Sequence, residues 1–319
     1  MTAPVLSLNN GAVRYGDLTA VDGVSIDLHA GETLGLVGES GCGKSSIARA
    51  ISGLAPLSAG SLLIDGQDVA AGIRADRRFL ADRVQLLFQD PVASLSPRQT
   101  VGALLAEPLK IRKIFNADTW GAAVALLRDM GLGEQFLSRY PHQLSGGQAR
   151  RVALARVLTA KPRIIVADEP TAGLDVSIQG DMLNLLRALR DRLGLSYLFI
   201  SHNLNVVGRV TDRVAIMYLG QIVETGRTSV LFRNPAHPYT KALLSSNLTI
   251  DPQRRRERII LKGELPSPRN PPSGCRFHQR CPVAQPICAV QQPRLAPLDD
   301  GRAVACHFPL SGGSQAMTG

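Results

Sequence analysis

The sequence lacks any apolar run close to the ~18 consecutive residues that a membrane-spanning helix requires. Its first ten residues also lack a basic segment followed by an apolar one, which is the pattern of a secretory signal. We therefore expect a protein that stays in the cytoplasm and reaches a membrane only through a partner. The 45% apolar and 19% charged residues are ordinary for a globular protein, and 319 residues allow one large or two modest domains.

Aromatic residues make up only 4% of the chain, and none interrupts its densest basic run, residues 254–258. Single-stranded nucleic acid binds where bases stack on aromatic rings, so this run is a poor candidate for a nucleic-acid site. The formal net charge of +10 still favours acidic partners, such as a nucleotide or an anionic membrane surface. Solubility combined with one phosphate site is the simpler explanation.

Internal repeats and long low-complexity segments are also missing. Short apolar runs instead alternate with longer periodic segments over residues 5–245, which predicts an α/β domain with a largely parallel sheet. The pattern predicts strands at 5–8, 24–28, 33–37, 164–167 and 197–200 and a helix over 182–193. We divide the chain into a main domain (1–245), a linker (246–265) and a small loop-rich appendage (266–319) that is rich in proline and cysteine.

Residues 38–45 match the G-x-x-x-x-G-K-[ST] pattern directly after the strand predicted to end at Val37, and a helix is predicted over 46–54. Such a loop points consecutive backbone N–H groups at phosphate oxygens, and the helix N-terminus adds positive charge. We expect Lys44 to reach the β- and γ-phosphates and Ser45 to bind Mg²⁺. The predicted nucleotide-binding residues are Gly38, Glu39, Ser40, Gly41, Cys42, Gly43, Lys44, Ser45 and Ser46, with no specific role assigned to Cys42.

Two carboxylates, Asp168 and Glu169, follow the apolar run 164–167. The carboxyl end of a strand is where open α/β sheets bind ligands. We expect Asp168 to hold Mg²⁺ and Glu169 to orient and deprotonate the attacking water. An acidic pair after a strand is by itself a weak signal, but its combination with a phosphate loop makes the catalytic interpretation strong.

Residues 144–148, Leu-Ser-Gly-Gly-Gln, resemble the signature motif of the ABC ATPase family. Small residues with exposed amides ahead of a helix form a second phosphate-binding turn. The resemblance implies that this turn caps the ATP bound by an opposite, homologous ATPase subunit, so that two subunits enclose two ATP molecules. The residues concerned are Ser145, Gly146, Gly147 and Gln148.

The same resemblance implies a P-loop NTPase fold with a RecA-like core and a helical subdomain, and it assigns roles to further residues. Tyr15 would stack on adenine, and Gln89 would contact Mg²⁺ and the attacking water. His202 would contact the γ-phosphate and stabilise the charge of the transition state. Asp175 lies in a loop that would cross the dimer interface.

Three departures from the family pattern stand out, although none removes a group with a chemical role. Arg150 stands where relatives usually carry Gln, Ala172 and Gly173 replace the more usual Ser-Ala, and Asn203 follows the histidine where Asp is common. We therefore expect an active ATPase whose interface coupling is tuned differently.

Residues 88–97, residues 234–240 and the tail from Gly274 resemble oligopeptide and dipeptide importers. The resemblance implies a peripheral subunit at the cytoplasmic face of the cell membrane, which energises import of peptides or related small solutes. Its partners would be a second homologous ATPase, two membrane-spanning permease subunits and, indirectly, a solute-binding protein, and residues 31–37 favour the second of two paired ATPases. Nickel, opine and glutathione importers belong to the same group and stay open.

A soluble ABC protein acting on ribosomes or DNA is the rival function. Such proteins generally carry two cassettes, or long coiled-coil or finger insertions, whereas this chain has one cassette and no long heptad run. We expect no nucleic-acid partner.

Four of the five cysteines follow residue 274, with the spacing C-x5-C-x6-C-x17-C. Clustered thiols in a cytosolic protein point to metal more than to disulfides, but this spacing matches neither the ferredoxin run nor paired C-x2-C zinc sites. Related importers carry a [4Fe–4S] cluster at this extension, and the resemblance implies one here. Its ligands would be Cys275, Cys281, Cys288 and Cys306, with zinc or unliganded core thiols as alternatives.

Overall fold

The computed structural model describes residues 3–90, 92–246, 259, 261, 263–264 and 266–310. Most of the predicted linker, the basic run 254–258, Pro91 and residues 311–319 of the appendage lie outside the described residues. Within those residues, no helix is both long and apolar enough to cross a membrane.

The described strands and helices follow one another in a mixed order that places most helices between strands. The strands are β1 (Leu6–Tyr15), β2 (Leu18–Leu28), β3 (Thr33–Val37), β4 (Ala59–Ile64), β5 (Gln67–Asp68), β6 (Val84–Leu87), β7 (Ile164–Asp168), β8 (Ser196–Ile200), β9 (Arg213–Tyr218), β10 (Gln221–Arg227), β11 (Ala296–Pro297) and β12 (Ala303–Val304). The helices are α1 (Lys44–Ile51), α2 (Val69–Ala75), α3 (Val101–Ile111), α4 (Ala117–Asp129), α5 (Gly146–Thr159), α6 (Val176–Leu193), α7 (Leu204–Val210), α8 (Thr228–Arg233), α9 (Pro238–Ser245) and α10 (Pro286–Val290).

The larger sheet has the strand order β11-β12-β10-β9-β3-β8-β7-β6. Its central strands β9, β3, β8, β7 and β6 run parallel, whereas β10, β11 and β12 add antiparallel pairs at one edge. Every residue of β3 and β8 is buried, which explains why these strands read as nearly continuous apolar runs. The predictions of a mixed α/β fold and of a largely parallel central sheet are confirmed.

A smaller antiparallel sheet, β2-β1-β4-β5, covers one side of the central core. In β2 the side chains of Val24, Ile26 and Leu28 are buried and those between them are exposed, as the period-two pattern predicts. The buried faces of β1, β2 and β4 share one hydrophobic core with α1 and the central sheet.

Helices α3, α4 and α5 form a helical layer that packs against the other side of the central sheet. Their apolar side chains share a second core with α6 and with β7 and β8. Thr100 caps α3, and Asn116 and Thr119 form a reciprocal capping box at the start of α4. The partly buried ion pair between Arg156 of α5 and Glu107 of α3, at 2.6 Å, joins two of these helices.

The C-terminal appendage is built onto the main sheet. Strand β12 pairs with β10, and Phe277, which is 1% exposed, lies in a third core with residues of β9, α9 and the end of β3. Glu224 in β10 is fully buried and accepts hydrogen bonds from the backbone N–H groups of Ala236 and His237. The domain limits at 245 and 266 stay a prediction.

Candidate nucleotide site

The phosphate loop spans the end of β3 and the start of α1, as the pattern predicts. Gly43 precedes α1 with φ 109°, and a Cβ there would lie 2.2 Å from the carbonyl oxygen of Ala20. A Cβ on Gly38 would lie 2.2 Å from the carbonyl oxygen of Met217. Both positions therefore require glycine. The helix begins at Lys44 and ends at Ile51, earlier at both ends than the predicted 46–54.

Lys44 is 5% exposed, and its ammonium lies against the first residues of the loop. Nζ donates to the carbonyl oxygens of Gly38 at 2.8 Å and Glu39 at 2.9 Å. Cys42 is buried in the hydrophobic core, and burial raises the pKa of its thiol although Lys44 lies nearby. The lysine is thus held within the loop, while the cysteine packs into the protein interior.

The predicted catalytic and metal-binding residues meet at one edge of the central sheet, where the parallel strands β3, β6, β7 and β8 end. Asp168 ends β7, Gln89 follows β6 and His202 follows β8. Carboxyl ends of parallel strands lie together, so the topology itself brings these side chains beside the phosphate loop.

Asp168 has the features of a Mg²⁺ ligand. Burial raises the pKa of its carboxyl group, and a hydrogen bond from the Ser45 side chain partly offsets this rise. Its Oδ1 atom is buried and, among the described residues, has no hydrogen-bond partner. A carboxylate and a hydroxyl oxygen are the hard ligands that Mg²⁺ accepts while it keeps several waters, so the two residues fit the ion.

Glu169 lies between Gln89 and His202. Its Oε1 is 2.9 Å from Nδ1 of His202, and Nε2 of Gln89 donates to its Oε2 at 3.4 Å. The backbone of Glu169 adopts φ 48° and donates its N–H to the carbonyl of Ile200. A left-handed backbone is uncommon for a residue other than glycine and is often found at functional sites. The three residues predicted to be catalytic form one hydrogen-bonded group.

The signature turn forms the start of α5. Ser145 Oγ accepts from the Gln148 N–H, and Gln148 Oε1 accepts from the Ser145 N–H, which completes a capping box. A Cβ on Gly146 or Gly147 would meet nothing within 4 Å, so packing in this chain does not require glycine at either position. Within the described residues no hydrogen bond joins this turn to the phosphate loop of the same chain.

Two further predicted residues lie at exposed positions. Tyr15 ends β1 with 43% of its surface exposed. Asp175 precedes α6, and its side chain makes no capping bond to that helix. Their roles in adenine stacking and at a subunit interface stay predictions.

Arg150 has contacts that the sequence did not reveal. Its guanidinium donates to the carbonyl oxygens of Pro170 at 3.2 Å and Ala172 at 2.6 Å, directly after Glu169. Positions 150 and 172 both depart from the family pattern, and these two departures in one chain were the signal in the sequence for this contact.

The four C-terminal cysteines line one small cavity together with Phe277 and Phe308. Burial, together with the neighbouring thiols, raises the pKa of Cys306 to about 11. His278 and His307 each bond a backbone carbonyl, those of Cys275 and Gln291. Across the described ranges no group of three or more His, Cys, Asp or Glu is arranged to hold a metal ion. The thiols are gathered, but their geometry does not support the predicted iron–sulfur cluster.

A phosphate loop and a strand-end acidic pair on this sheet, together with a capped Ser-Gly-Gly-Gln turn at the start of α5, define an ATP-binding cassette. The ABC transporter family profile matches residues 21–172, and the profile for the oligopeptide/dipeptide transporter C-terminal region matches residues 223–288. The chain belongs to the ABC transporter family and is an ATPase.

Curated relatives match almost the whole chain. The oligopeptide transport ATP-binding protein AppF of Bacillus subtilis is 48% identical over 92% of this chain and 91% of its own length. The di/tripeptide transport ATP-binding protein DppF of Pseudomonas aeruginosa shows the same identity and coverage. The oligopeptide transport ATP-binding protein OppF of Salmonella typhimurium is 49% identical over 87% of this chain and 84% of its own.

Solved structures support the fold. CbiO1 of Clostridium perfringens, part of the ABC transporter complex cbiONQ, has a TM-score of 0.66 and 26% identity, covering 73% of this chain and 92% of its own. The dimeric bacterial ABC transporter cassette MJ0796 has a TM-score of 0.61 and 28% identity, covering 70% of this chain and 98% of its own.

Proposed function

We propose that this chain is the ATP-hydrolysing subunit of an importer for peptides, bound at the cytoplasmic face of the cell membrane. The observation that carries the proposal is Glu169, held between Gln89 and His202 at the sheet edge that also carries the phosphate loop. The match of residues 223–288 and relatives named for oligopeptide or di/tripeptide transport support peptides as the solute class.

The phosphate loop binds the triphosphate of ATP through its backbone N–H groups and Lys44. Ser45 and Asp168 would hold Mg²⁺, which when bound neutralises charge on the β- and γ-phosphates. Glu169 accepts a proton from the attacking water, and its bonds to Gln89 and His202 fix the direction of its carboxylate. His202, whose side chain is 62% exposed, faces outward and can contact the γ-phosphate. Catalysis by these residues is positioning together with charge stabilisation.

The signature turn acts on a second ATPase subunit. Glycine at 146 and 147 leaves open space beside the N-terminus of a 14-residue helix, which is the geometry required for close approach of an anion. The turn has no hydrogen bond to the described phosphate loop of its own chain. We therefore assign to it the phosphate groups of the ATP molecule that a homologous partner subunit binds. Tyr15 stacks on adenine, and Asp175 contacts the opposite subunit.

The remaining partners are two membrane-spanning permease subunits and, indirectly, a solute-binding protein. The loop that carries Gln89 contacts Glu169 on one side and is exposed at Phe88 on the other. It can therefore pass the state of the catalytic group to a permease.

The substitution Glu169→Gln tests the proposed catalytic role. Glutamine keeps the shape of the side chain but does not accept the proton, so we expect ATP binding near the wild-type level and hydrolysis at least about 100-fold slower. Phosphate release is measured on the complex purified with its partner subunits and placed in proteoliposomes. Glu134→Gln, a change at an exposed glutamate that pairs with Arg128 of α4, is the matched control. Hydrolysis by Glu169→Gln at the wild-type rate would refute the base assignment.

Uptake into the same proteoliposomes tests the solute class. Labelled dipeptides and oligopeptides are offered beside nickel, glutathione and an opine. Peptide uptake that stops in Glu169→Gln supports the proposal, whereas uptake of a non-peptide solute alone moves the chain to the alternative importer class.

A [4Fe–4S] cluster at the four cysteines is the finer part of the proposal; it rests on the resemblance and on the cavity that the four thiols share, and no group of the described residues is itself arranged to hold a metal ion. Iron, sulfide and zinc are assayed on the anaerobically purified complex. About four irons per chain would support the cluster. Zinc in place of iron would indicate a zinc site at the four cysteines. The absence of any metal would indicate unliganded core thiols.

A further inference from the structure

Glu39, the second residue of the phosphate loop, is held at three atoms by three residues, which we name the Glu39 clamp: Lys44, Tyr239 and Arg280. The Glu39 N–H donates to the Tyr239 hydroxyl at 3.0 Å, and its carbonyl accepts from Lys44 at 2.9 Å. Its Oε2 accepts from Nη1 of Arg280 at 2.9 Å. Tyr239 and Arg280 both lie within the C-terminal region matched at 223–288.

The two distant members of the clamp are themselves fixed. Tyr239 is fully buried, and its ring lies 4.7 Å from that of Tyr218 and 5.4 Å from that of Phe277, centroid to centroid. The Arg280 side chain is 11% exposed and lies over the Tyr218 ring. An ion pair shielded in this way is screened less by salt than an exposed one. The clamp is therefore a rigid support and not a surface contact.

Holding Glu39 has a direct consequence for the phosphate site. The carbonyl oxygens of Gly38 and Glu39 are the groups that hold the Lys44 ammonium, so the position of Glu39 sets the position of the lysine. A loop already fixed in its binding conformation does not have to be ordered when the ligand arrives, which increases affinity.

We infer that Tyr239 and Arg280 are positioning residues of the ATP site, through which the C-terminal region holds the phosphate loop in its binding conformation. This inference rests on the proposed assignment of residues 38–45 as the loop that binds ATP. It extends the role of the C-terminal region from attachment to control of nucleotide affinity.

A double-mutant cycle on the full chain tests the clamp. Arg280→Gln and Glu39→Gln each remove one charge of the pair, and each should raise the Kd for a fluorescent, non-hydrolysable ATP analogue about fivefold to twentyfold. The double variant should bind no more weakly than the weaker single variant, because both remove the same interaction. Tyr239→Phe removes only the hydroxyl that accepts from the Glu39 N–H and should raise the Kd in the same direction.

Steady-state hydrolysis by the complex separates positioning from general loss of structure. In Arg280→Gln the KM for ATP should rise with the Kd, while kcat at saturating ATP stays within about twofold of wild type. Arg280→Lys retains the charge and should recover most of the affinity. The exposed pair Arg128–Glu134, altered by Arg128→Gln, is the matched control and should change neither value.

Three results would overturn the inference: an unchanged Kd in Arg280→Gln, fully additive effects in the double variant, or a fall in kcat at unchanged KM. Lys44→Ala distinguishes this failure from failure of the site itself. If Lys44→Ala binds the analogue as wild type does, the assignment of the phosphate loop is wrong. If Lys44→Ala loses binding while Arg280→Gln retains it, only the clamp is wrong.

Discussion

Replacing Arg150 should slow ATP hydrolysis without weakening ATP binding. Its guanidinium joins α5 to the carbonyls of Pro170 and Ala172, which directly follow the proposed base. A hydrogen bond to a charged group contributes about 1.5–3 kcal/mol, but this side chain is only half-buried, so we expect Arg150→Ala to cost about 1–2 kcal/mol of unfolding free energy. Loss of the anchor also lets Glu169 move, and a displacement of ~1 Å can cost 10²-fold in rate.

Arg151→Ala provides a control on the same helix. The Arg151 guanidinium also donates to a backbone carbonyl, that of Met130 at 2.9 Å, but this carbonyl lies far along the chain from Glu169. Thermal unfolding should show a loss for both variants, because each removes hydrogen bonding from arginine to the backbone, and the loss in Arg150→Ala should be at least as large, since it removes two such bonds and Arg151→Ala removes the bond to Met130. In hydrolysis assays of the complex, only Arg150→Ala should lower kcat, by about tenfold or more, with the KM for ATP nearly unchanged.

A third variant tests whether the guanidinium group of Arg150 is itself required. Arg150→Gln removes the charge, and the glutamine amide can still donate to one of the two carbonyls. It should therefore retain most of the wild-type kcat. If Arg150→Ala and Arg151→Ala have the same kcat, or if Arg150→Ala hydrolyses ATP at the wild-type rate, the guanidinium does not position Glu169.

Two further predictions concern the C-terminal core. Glu224→Ala leaves two buried backbone N–H groups without their acceptor and removes the buried carboxylate that faces Arg302, so chemical denaturation should show a loss of about 3–5 kcal/mol, with Glu224→Gln losing clearly less. Burial lowers the pKa of His237 to about 3, whereas its pKa in the unfolded chain is about 6.5. Between these two pH values the unfolded chain therefore binds more protons than the folded protein. The free energy of unfolding should then fall as the pH drops through this window, by at most about 1.4 kcal/mol per pH unit. This dependence on pH should be weaker in His237→Gln, and an identical dependence in the variant would contradict this account.

Much of the central sheet and of the site could be predicted from the sequence because the signals are local. Strands at 33–37, 164–167 and 197–200 read as buried runs, and the structure has them within one residue at each end. The chain order of strands and motifs then placed Lys44, Asp168 and Glu169 at one sheet edge, since parallel strands end together. The helix limits were less accurate, because α1 starts at the residue that follows a left-handed Gly43.

The remaining features depend on contacts between residues far apart in the chain. Strands β11 and β12 have two residues each, too few for a period, and β12 exists as a strand because β10 offers it a partner. The bond between Arg280 and Glu39 joins residues 241 positions apart, and no local pattern indicates it. The cysteine spacing likewise indicated proximity, which the shared cavity bears out, but not a metal geometry.

The same separation has a consequence for the order in which the protein forms on the ribosome. The phosphate loop is synthesised early, but the chain must grow by 241 residues before Arg280 exists to pair with Glu39. At a synthesis rate of 5–20 residues per second this interval lasts about 12 to 48 s. Strand β3 meanwhile also lacks its neighbours β8 and β9. The nascent chain therefore keeps the apolar strand β3 without its partner strands until residues 196–218 have been made, which makes this period the one in which the protein most needs protection from aggregation.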